Sequence, residues 1–146
     1  MSKNPIKKGE ILKIYTDGAA RGNPGPAAWA FLFVHNDCII HEESNYIGIA
    51  TNNAAEYHAI INALKTAKRF HKGHLQVYSD SNLAVQQINN KWKIHYPHLA
   101  KLYRTVRQLC GNYKKVEFFH VRRNNSYIQK CDTLCNERLY AEGLKK

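Results

Sequence analysis

The 146-residue sequence contains only four aspartates, Asp17, Asp37, Asp80 and Asp132. Three of them sit where a strand or helix is predicted to begin or end. Asp17 closes the first strand inside TDGAARGNPGP, Asp80 closes the fourth inside YSDSN, and Asp132 stands near the start of the last helix. Glu56, in the first turn of the longest predicted helix, can join them, because ligand sites in α/β sheets collect where strand ends meet helix starts. Two charges about 4 Å apart at an effective dielectric near 20 repel by ~4 kcal/mol, so four bare carboxylates in one pit are unstable. Protons held at raised pKa or bound divalent cations must neutralise them, and oxygen-only ligation without an adjacent His or Cys favours Mg²⁺ or Mn²⁺ over zinc. A carboxylate pit in a basic protein suits phosphodiester hydrolysis. The surrounding positive charge holds the strand while two ions roughly 3.5 to 4 Å apart activate water and steady the leaving oxygen.

Each acid also has a plainer reading. Asn53-Ala54-Ala55-Glu56 fits an N-terminal capping box, Asp80 or Ser81 can cap the helix that follows, Asp17-Gly18 can be a turn, and Asp132 can complement a helix macrodipole. Only the fold decides between these readings and convergence.

The elements that must position the acids are visible in the hydrophobic period. ILKIYTD alternates, AAWAFLFV is apolar and aromatic, and CIIHEESNYIGI is rich in branched residues; His35-Asn36-Asp37 reads as a hairpin turn. The first third is therefore an antiparallel meander. Tyr57, Ile60, Ile61, Leu64 and Ala67 recur at 3.6-residue spacing, which predicts a helix over 53–70. LQVYSD resumes a strand, 81–91 is a shorter helix, Pro97 opens a helix over 98–110, KVEFFHV is a fifth strand, RRNNSY a loop and 128–140 a closing helix. This order predicts an α/β domain whose fourth strand crosses over beside the first strands in a mixed sheet.

Composition bounds the class. With 44% hydrophobic and 23% charged residues the chain fits one globular domain over 11–146, after a basic leader at 1–10 that is expected to fray. No window approaches the roughly 18 apolar residues of a membrane span, and MSKNPIKKGE lacks the apolar region of a secretory signal, so a soluble, cytoplasmic protein with no membrane partner is expected. Twenty-two Lys and Arg against eleven Asp and Glu give a formal charge of +11, which favours polyanionic partners. Four scattered cysteines read as reduced thiols. Cys131 and Cys135, one helical turn apart, are expected to pack as small apolar residues rather than to bind metal.

TDGAARGNPGP, TNNAAEYHAI, YSDSNLAVQQI and KCDTLCNERL, in that order through nearly the whole chain, resemble the motifs of type 1 ribonuclease H, which cuts the RNA strand of RNA/DNA hybrids. The resemblance implies a ribonuclease H-like fold, with a five-stranded mixed sheet and helices on both faces. It implies an endonuclease with two-metal-ion catalysis that leaves 5′-phosphate and 3′-hydroxyl ends; separately, a monomer is expected. Asp17, Glu56, Asp80 and Asp132 are then the catalytic metal ligands, for two Mg²⁺ ions with substrate, or Mn²⁺ in their place.

Asn23, Asn52, Asn53 and Asn82 are short amides near the expected pit, and similar positions in the family touch the hybrid backbone. Asn23 as a turn residue and Asn53 as a cap are the plainer readings. Thr51 either binds a phosphate or starts the helix. Trp92, within Lys91-Trp92-Lys93, either tracks the DNA strand by stacking or caps the core. The chain also departs from the family pattern. RRNNSYIQKCD lacks the His that many relatives carry before the last carboxylate, Ile128 stands where Asn is frequent, Ala27-Ala28 replaces glycines, and no long basic insertion follows Trp92. Arg123 is a candidate electrostatic substitute, and His120 is expected to be half-buried on its strand. Two other functions compete: a binding module that has lost turnover, and a related nuclease acting on another substrate.

Overall fold

The computed structural model describes residues 6–144. Three strands come first, β1 (Ile11–Ala20), β2 (Gly25–His35) and β3 (Cys38–Ala50), then α1 (Asn52–Ala67) and β4 (His74–Ser79). They are followed by α2 (Asn82–Ile88), α3 (Pro97–Cys110), β5 (Lys115–His120) and α4 (Ser126–Leu144). The strands form one sheet in the order β3-β2-β1-β4-β5. β1, β2 and β3 run antiparallel, while β4 pairs parallel with β1 and β5 parallel with β4. The sheet is thus mixed, with the expected crossover beside the first strand.

β2 reads as a continuous apolar run because both faces are covered. Trp29, Phe31 and Phe33 point into a core shared with α1, α2 and α3, whereas Ala28, Ala30, Leu32 and Val34 point into a second core under α4. The hairpin between β2 and β3 turns on Asn36 and Asp37, both at positive φ (51° and 60°), the geometry a two-residue turn of matching twist requires. Pro97 occupies the first turn of α3, where its missing N–H is harmless.

Several boundaries differ from the periodic reading. α4 begins at Ser126, because Asn125 Oδ1 accepts the backbone N–H groups of Tyr127 and Ile128 and starts the helix ahead of its apolar stripe. Asp132 is therefore the seventh helical residue, beyond the reach of a first-turn macrodipole effect. β1 continues past Asp17 to Ala20, because β2 goes on pairing with it after β4 has stopped. Of the leader, residues 1–5 lie outside the described residues. Residues 6–10 form a turn in which Lys7 N–H donates to Glu10 Oε1 at 2.7 Å, and Ile6 packs against the larger core. Among the described residues, no helix is long and apolar enough to cross a membrane.

Candidate active site

Asp17 lies where the sheet opens. The β1–β4 ladder ends at Thr16 and Ser79, so Asp17 is paired only with Ala30 of β2, and Asp80 follows immediately on the neighbouring strand. Both carboxylates thus emerge side by side at the carboxyl ends of adjacent parallel strands. The helix that follows β4 is capped by Ser81, whose Oγ accepts the N–H of Ala84 at 3.2 Å, so Asp80 is not used as a cap.

α1 supplies the third acid. Its N-cap is Thr51, whose Oγ1 accepts the N–H of Ala54 at 3.1 Å, which corrects both the capping-box reading of Glu56 and the cap reading of Asn53. Glu56 instead reaches across to β1, where its Oε1 accepts the N–H of Gly18 at 2.8 Å. That contact depends on the absence of a side chain at position 18, because a Cβ there would lie 2.2 Å from the carbonyl carbon of Ala55. The glycine after Asp17 lets the first turn of α1 sit directly on the end of β1.

One oxygen from each of Asp17, Glu56 and Asp80 lies within 4.8 Å of the others. Asp132 lines the same hollow of about 460 Å³ from the α4 side, exposed, with its Oδ2 accepting from Asn136 Nδ2 at 3.3 Å. A larger hollow of about 650 Å³ between β3 and α4 lacks these groups, with Arg138 tied to Ser44 across it.

Burial and mutual repulsion dominate the electrostatics. Desolvation, with the nearby charges of Asp80 and Asp132, pushes the Asp17 carboxyl up to about 8. Burial, then the charges of Asp17 and Asp80, holds Glu56 well above the carboxylate range. Among the described residues, the cation paired with the cluster is Arg123, on the loop before α4, whose Nε donates to Asp80 Oδ2 at 3.1 Å. The other oxygen, Asp80 Oδ1, is buried with no N–H or hydroxyl donor, and besides Arg123 its carboxylate is bridged, without a cation, only by the proton that Glu56 retains. Three convergent carboxylates around such an atom suit a hard divalent cation. Cys131 and Cys135 are not competing ligands. Burial raises both thiols, and they donate to the carbonyls of Tyr15 and Asp17 at 3.5 Å, seating α4 under β1 as the apolar reading expected.

The other candidates divide into groups. Asn23 Oδ1 accepts the N–H of Asn52, and Asn52 Oδ1 accepts that of Ala20, so these amides lock the β1–β2 turn onto the start of α1. Asn52, Asn53 and Asn82 line the carboxylate hollow, and Asn23, Thr51 and Trp92 do not. Trp92 is 47% exposed, which overturns its reading as a core cap. With Lys91, Lys93 and Tyr96 it lines a neighbouring hollow that shares Asn53 and Leu83 with the first. Tyr96, 62% exposed, was not singled out in the sequence; its signal is an aromatic residue in a basic segment just before Pro97. His120 is exposed at the end of the edge strand β5 rather than half-buried, because β5 has a neighbour on one side only.

Residues 9–139 match the RNase H family. The chain is 37% identical over 133 residues to ribonuclease HI of Halobacterium salinarum, covering 90% of this chain and 66% of that protein. It is 34% identical over 131 residues to a bifunctional protein of Mycobacterium tuberculosis, covering 88% of this chain and 35% of that one. The chain thus spans from about a third to about two thirds of the length of these relatives. The crystal structure of the Halobacterium salinarum RNase H1 superposes with a TM-score of 0.84 at 36% identity, covering 90% of this chain and 98% of that one. LC11-RNase H1 in complex with an RNA/DNA hybrid superposes at 0.83 and 33% identity, with coverage of 90% and 98%. A five-stranded mixed sheet, an acidic cluster where β1 and β4 part, and matches over nine-tenths of the chain agree: this protein belongs to the RNase H family.

Proposed function

We propose that the chain is an endonuclease that hydrolyses the RNA strand of RNA/DNA hybrids, using divalent cations held by Asp17, Glu56, Asp80 and Asp132. The observation that carries this reading is the convergence of Asp17, Glu56 and Asp80, one oxygen of each within 4.8 Å of the others, where desolvation drives Asp17 and Glu56 toward protonation. Mg²⁺, or Mn²⁺ in its place, fits an all-oxygen donor set. Held by these four carboxylates, such cations would lower the pKa of water and would stabilise charge on the leaving oxygen. Water adds to phosphorus, the P–O3′ bond breaks and the 3′-oxygen takes a proton, leaving 5′-phosphate and 3′-hydroxyl ends.

The chain's own groups do the rest. Gly18 N–H orients Glu56, and Arg123 offsets part of the acidic charge and is positioned to meet a substrate phosphate. The free NH₂ groups of Asn23 and Asn52, together with Asn53 and Asn82, offer donors and acceptors to the backbone and the 2′-hydroxyls of the wide minor groove. Trp92 and Tyr96 offer stacking surfaces flanked by Lys91 and Lys93 for the DNA strand.

A hybrid with a labelled RNA strand is expected to be cut in Mg²⁺ and left intact in EDTA, and matched double-stranded DNA to be left intact in both. An intact hybrid in Mg²⁺ refutes the proposal. The pH dependence has a definite sign. Because Asp17 holds its proton up to about 8, cation binding must release that proton. Apparent Mg²⁺ affinity is expected to rise steadily from pH 6 and level off above about 8, each pH unit below the plateau costing up to tenfold. Titrating Mg²⁺ by calorimetry in two buffers of different ionisation enthalpy reads both the affinity and the released proton; a pH-independent affinity contradicts the assignment.

A further inference from the structure

α4 lies across β1, β2 and β3 and leaves the same face of β4 and β5 uncovered among the described residues. On this open face the side chains of Tyr15, Tyr78 and Phe119 stand in register on three adjacent strands. Their rings stack, with centroids 4.8 Å apart between Tyr15 and Tyr78 and 5.4 Å between Tyr78 and Phe119, at interplanar angles of 15° and 26°. Tyr127, at the start of α4, extends the column beyond Tyr15 at 4.6 Å. The other end is open: β5 is an edge strand, so no further strand covers the outer side of Phe119, which is 37% exposed.

A planar ring added there continues a stack that already exists. The column is held rigid, since the Tyr78 hydroxyl donates to Gln76 Oε1 at 2.8 Å, which lowers the entropy lost on binding. It also lies close to the carboxylates. Tyr78 precedes Asp80 by two residues, and strand geometry puts Phe119 roughly 10 Å from the acidic pit. The charges nearby favour an anion. Lys115 shares this face of β5, Arg122 and Arg123 lie on the loop leading to α4, and Glu117, the acid two residues before Phe119, is engaged by His74 and Gln76.

We infer that Phe119 is a stacking platform for an unpaired nucleobase on a single-stranded segment flanking the hybrid, whose phosphates meet Arg122 and Lys115. Stacking is sequence-tolerant because every base has a π-face, so the subsite senses strandedness and not sequence. It rests on the nucleic-acid substrate proposed above and adds a preference for junctions between hybrid and single strand.

The test compares a blunt hybrid with hybrids carrying a five-nucleotide single-stranded tail on one end or the other, by anisotropy without divalent cations. The wild-type protein is expected to bind one tailed hybrid roughly fivefold to tenfold tighter than the blunt one. Phe119→Leu, which keeps an apolar side chain without a π-face, is expected to erase that ratio, and Phe119→Trp to restore it. The Phe119→Trp indole is expected to be quenched by the tailed hybrid and less by the blunt one. Equal affinity of the wild type for all three duplexes overturns the inference, as does a ratio that survives in Phe119→Leu. So does self-association of the wild type through this face, seen by sedimentation and abolished by Phe119→Leu. A protein that shows the tail preference yet cuts no hybrid in Mg²⁺ keeps the platform and loses the proposed hydrolysis, so the two failures are distinguishable.

Discussion

Asp17→Asn is expected to lower hybrid cleavage by about 10³-fold or more while leaving hybrid binding within a few-fold of wild type. The amide keeps an oxygen in place but removes the charge that a divalent cation needs, at a residue whose carboxyl lies within 4.8 Å of those of Glu56 and Asp80. The Asn amides and the Lys91–Lys93 surface are untouched, so binding survives.

The same substitution is expected to stabilise the cation-free protein, and the sign follows from linkage. The folded-state pKa of Asp17 is raised from 3.8 to about 8, so the folded state holds a proton that the unfolded state has released. The favourable contribution of that proton is complete below pH 3.8 and is lost as pH rises through about 8, where the charged form must be accommodated in a buried acidic cluster. Asparagine has no such charge. In EDTA its advantage in urea unfolding is expected to be small at pH 4 and to grow to on the order of 2 kcal/mol at pH 8 to 9. Added Mg²⁺ is expected to narrow the gap, because only the wild type gains from the cation. Unaltered cleavage by the purified variant would falsify the site assignment, and equal stability across the pH range would remove its electrostatic basis.

Gly18→Ala is the second large effect, and it acts through packing. An added methyl group would stand 2.2 Å from the Ala55 carbonyl carbon, 2.3 Å from its oxygen and 2.5 Å from the Glu56 nitrogen, all backbone atoms that cannot rotate away. The start of α1 must retreat from β1, and Glu56 loses its hold on the Gly18 N–H. A loss of about 2–3 kcal/mol in urea unfolding is expected, with a rise in the Mg²⁺ concentration needed for half-maximal cleavage. Gly143→Ala is the control: nothing lies within 4 Å of its added Cβ, and in a helix the exchange is expected to add about 0.5–1 kcal/mol. Wild-type stability in Gly18→Ala would show that α1 does not rest on the strand end as described.

Much of the frame was legible in the chain. The alternation of β1, the 3.6-residue stripe of α1 and the Asn36-Asp37 turn are local signals, set by which side chains fit a half-buried strand, an amphipathic helix or a positive-φ turn. The end of β1 was not local. Whether Asp17 closes the strand or lies within it depends on how long β2 and β4 go on pairing with it, and the two neighbours stop at different residues. The start of α4 was missed because Asn125 begins the helix through hydrogen bonds that hydrophobic period does not register. Trp92 was undecidable from composition, since an indole suits a core and a stacking surface equally well; it is exposed because the segment between α2 and α3 carries it off the sheet.

By itself the sequence determined the number and type of the elements, the cationic surface, and the four acids to be accounted for. Each of these depends on residue identity and spacing within one segment. Tertiary structure alone decided that Glu56 faces Gly18 across 38 positions and not its own helix cap, that Arg123 reaches back 43 positions to Asp80, and that Asp17, Glu56 and Asp80 meet within 4.8 Å. Whether a carboxylate is a cap or a ligand depends on which distant groups desolvate it and which leave its oxygens free, and segments far apart in the chain set both only when they pack.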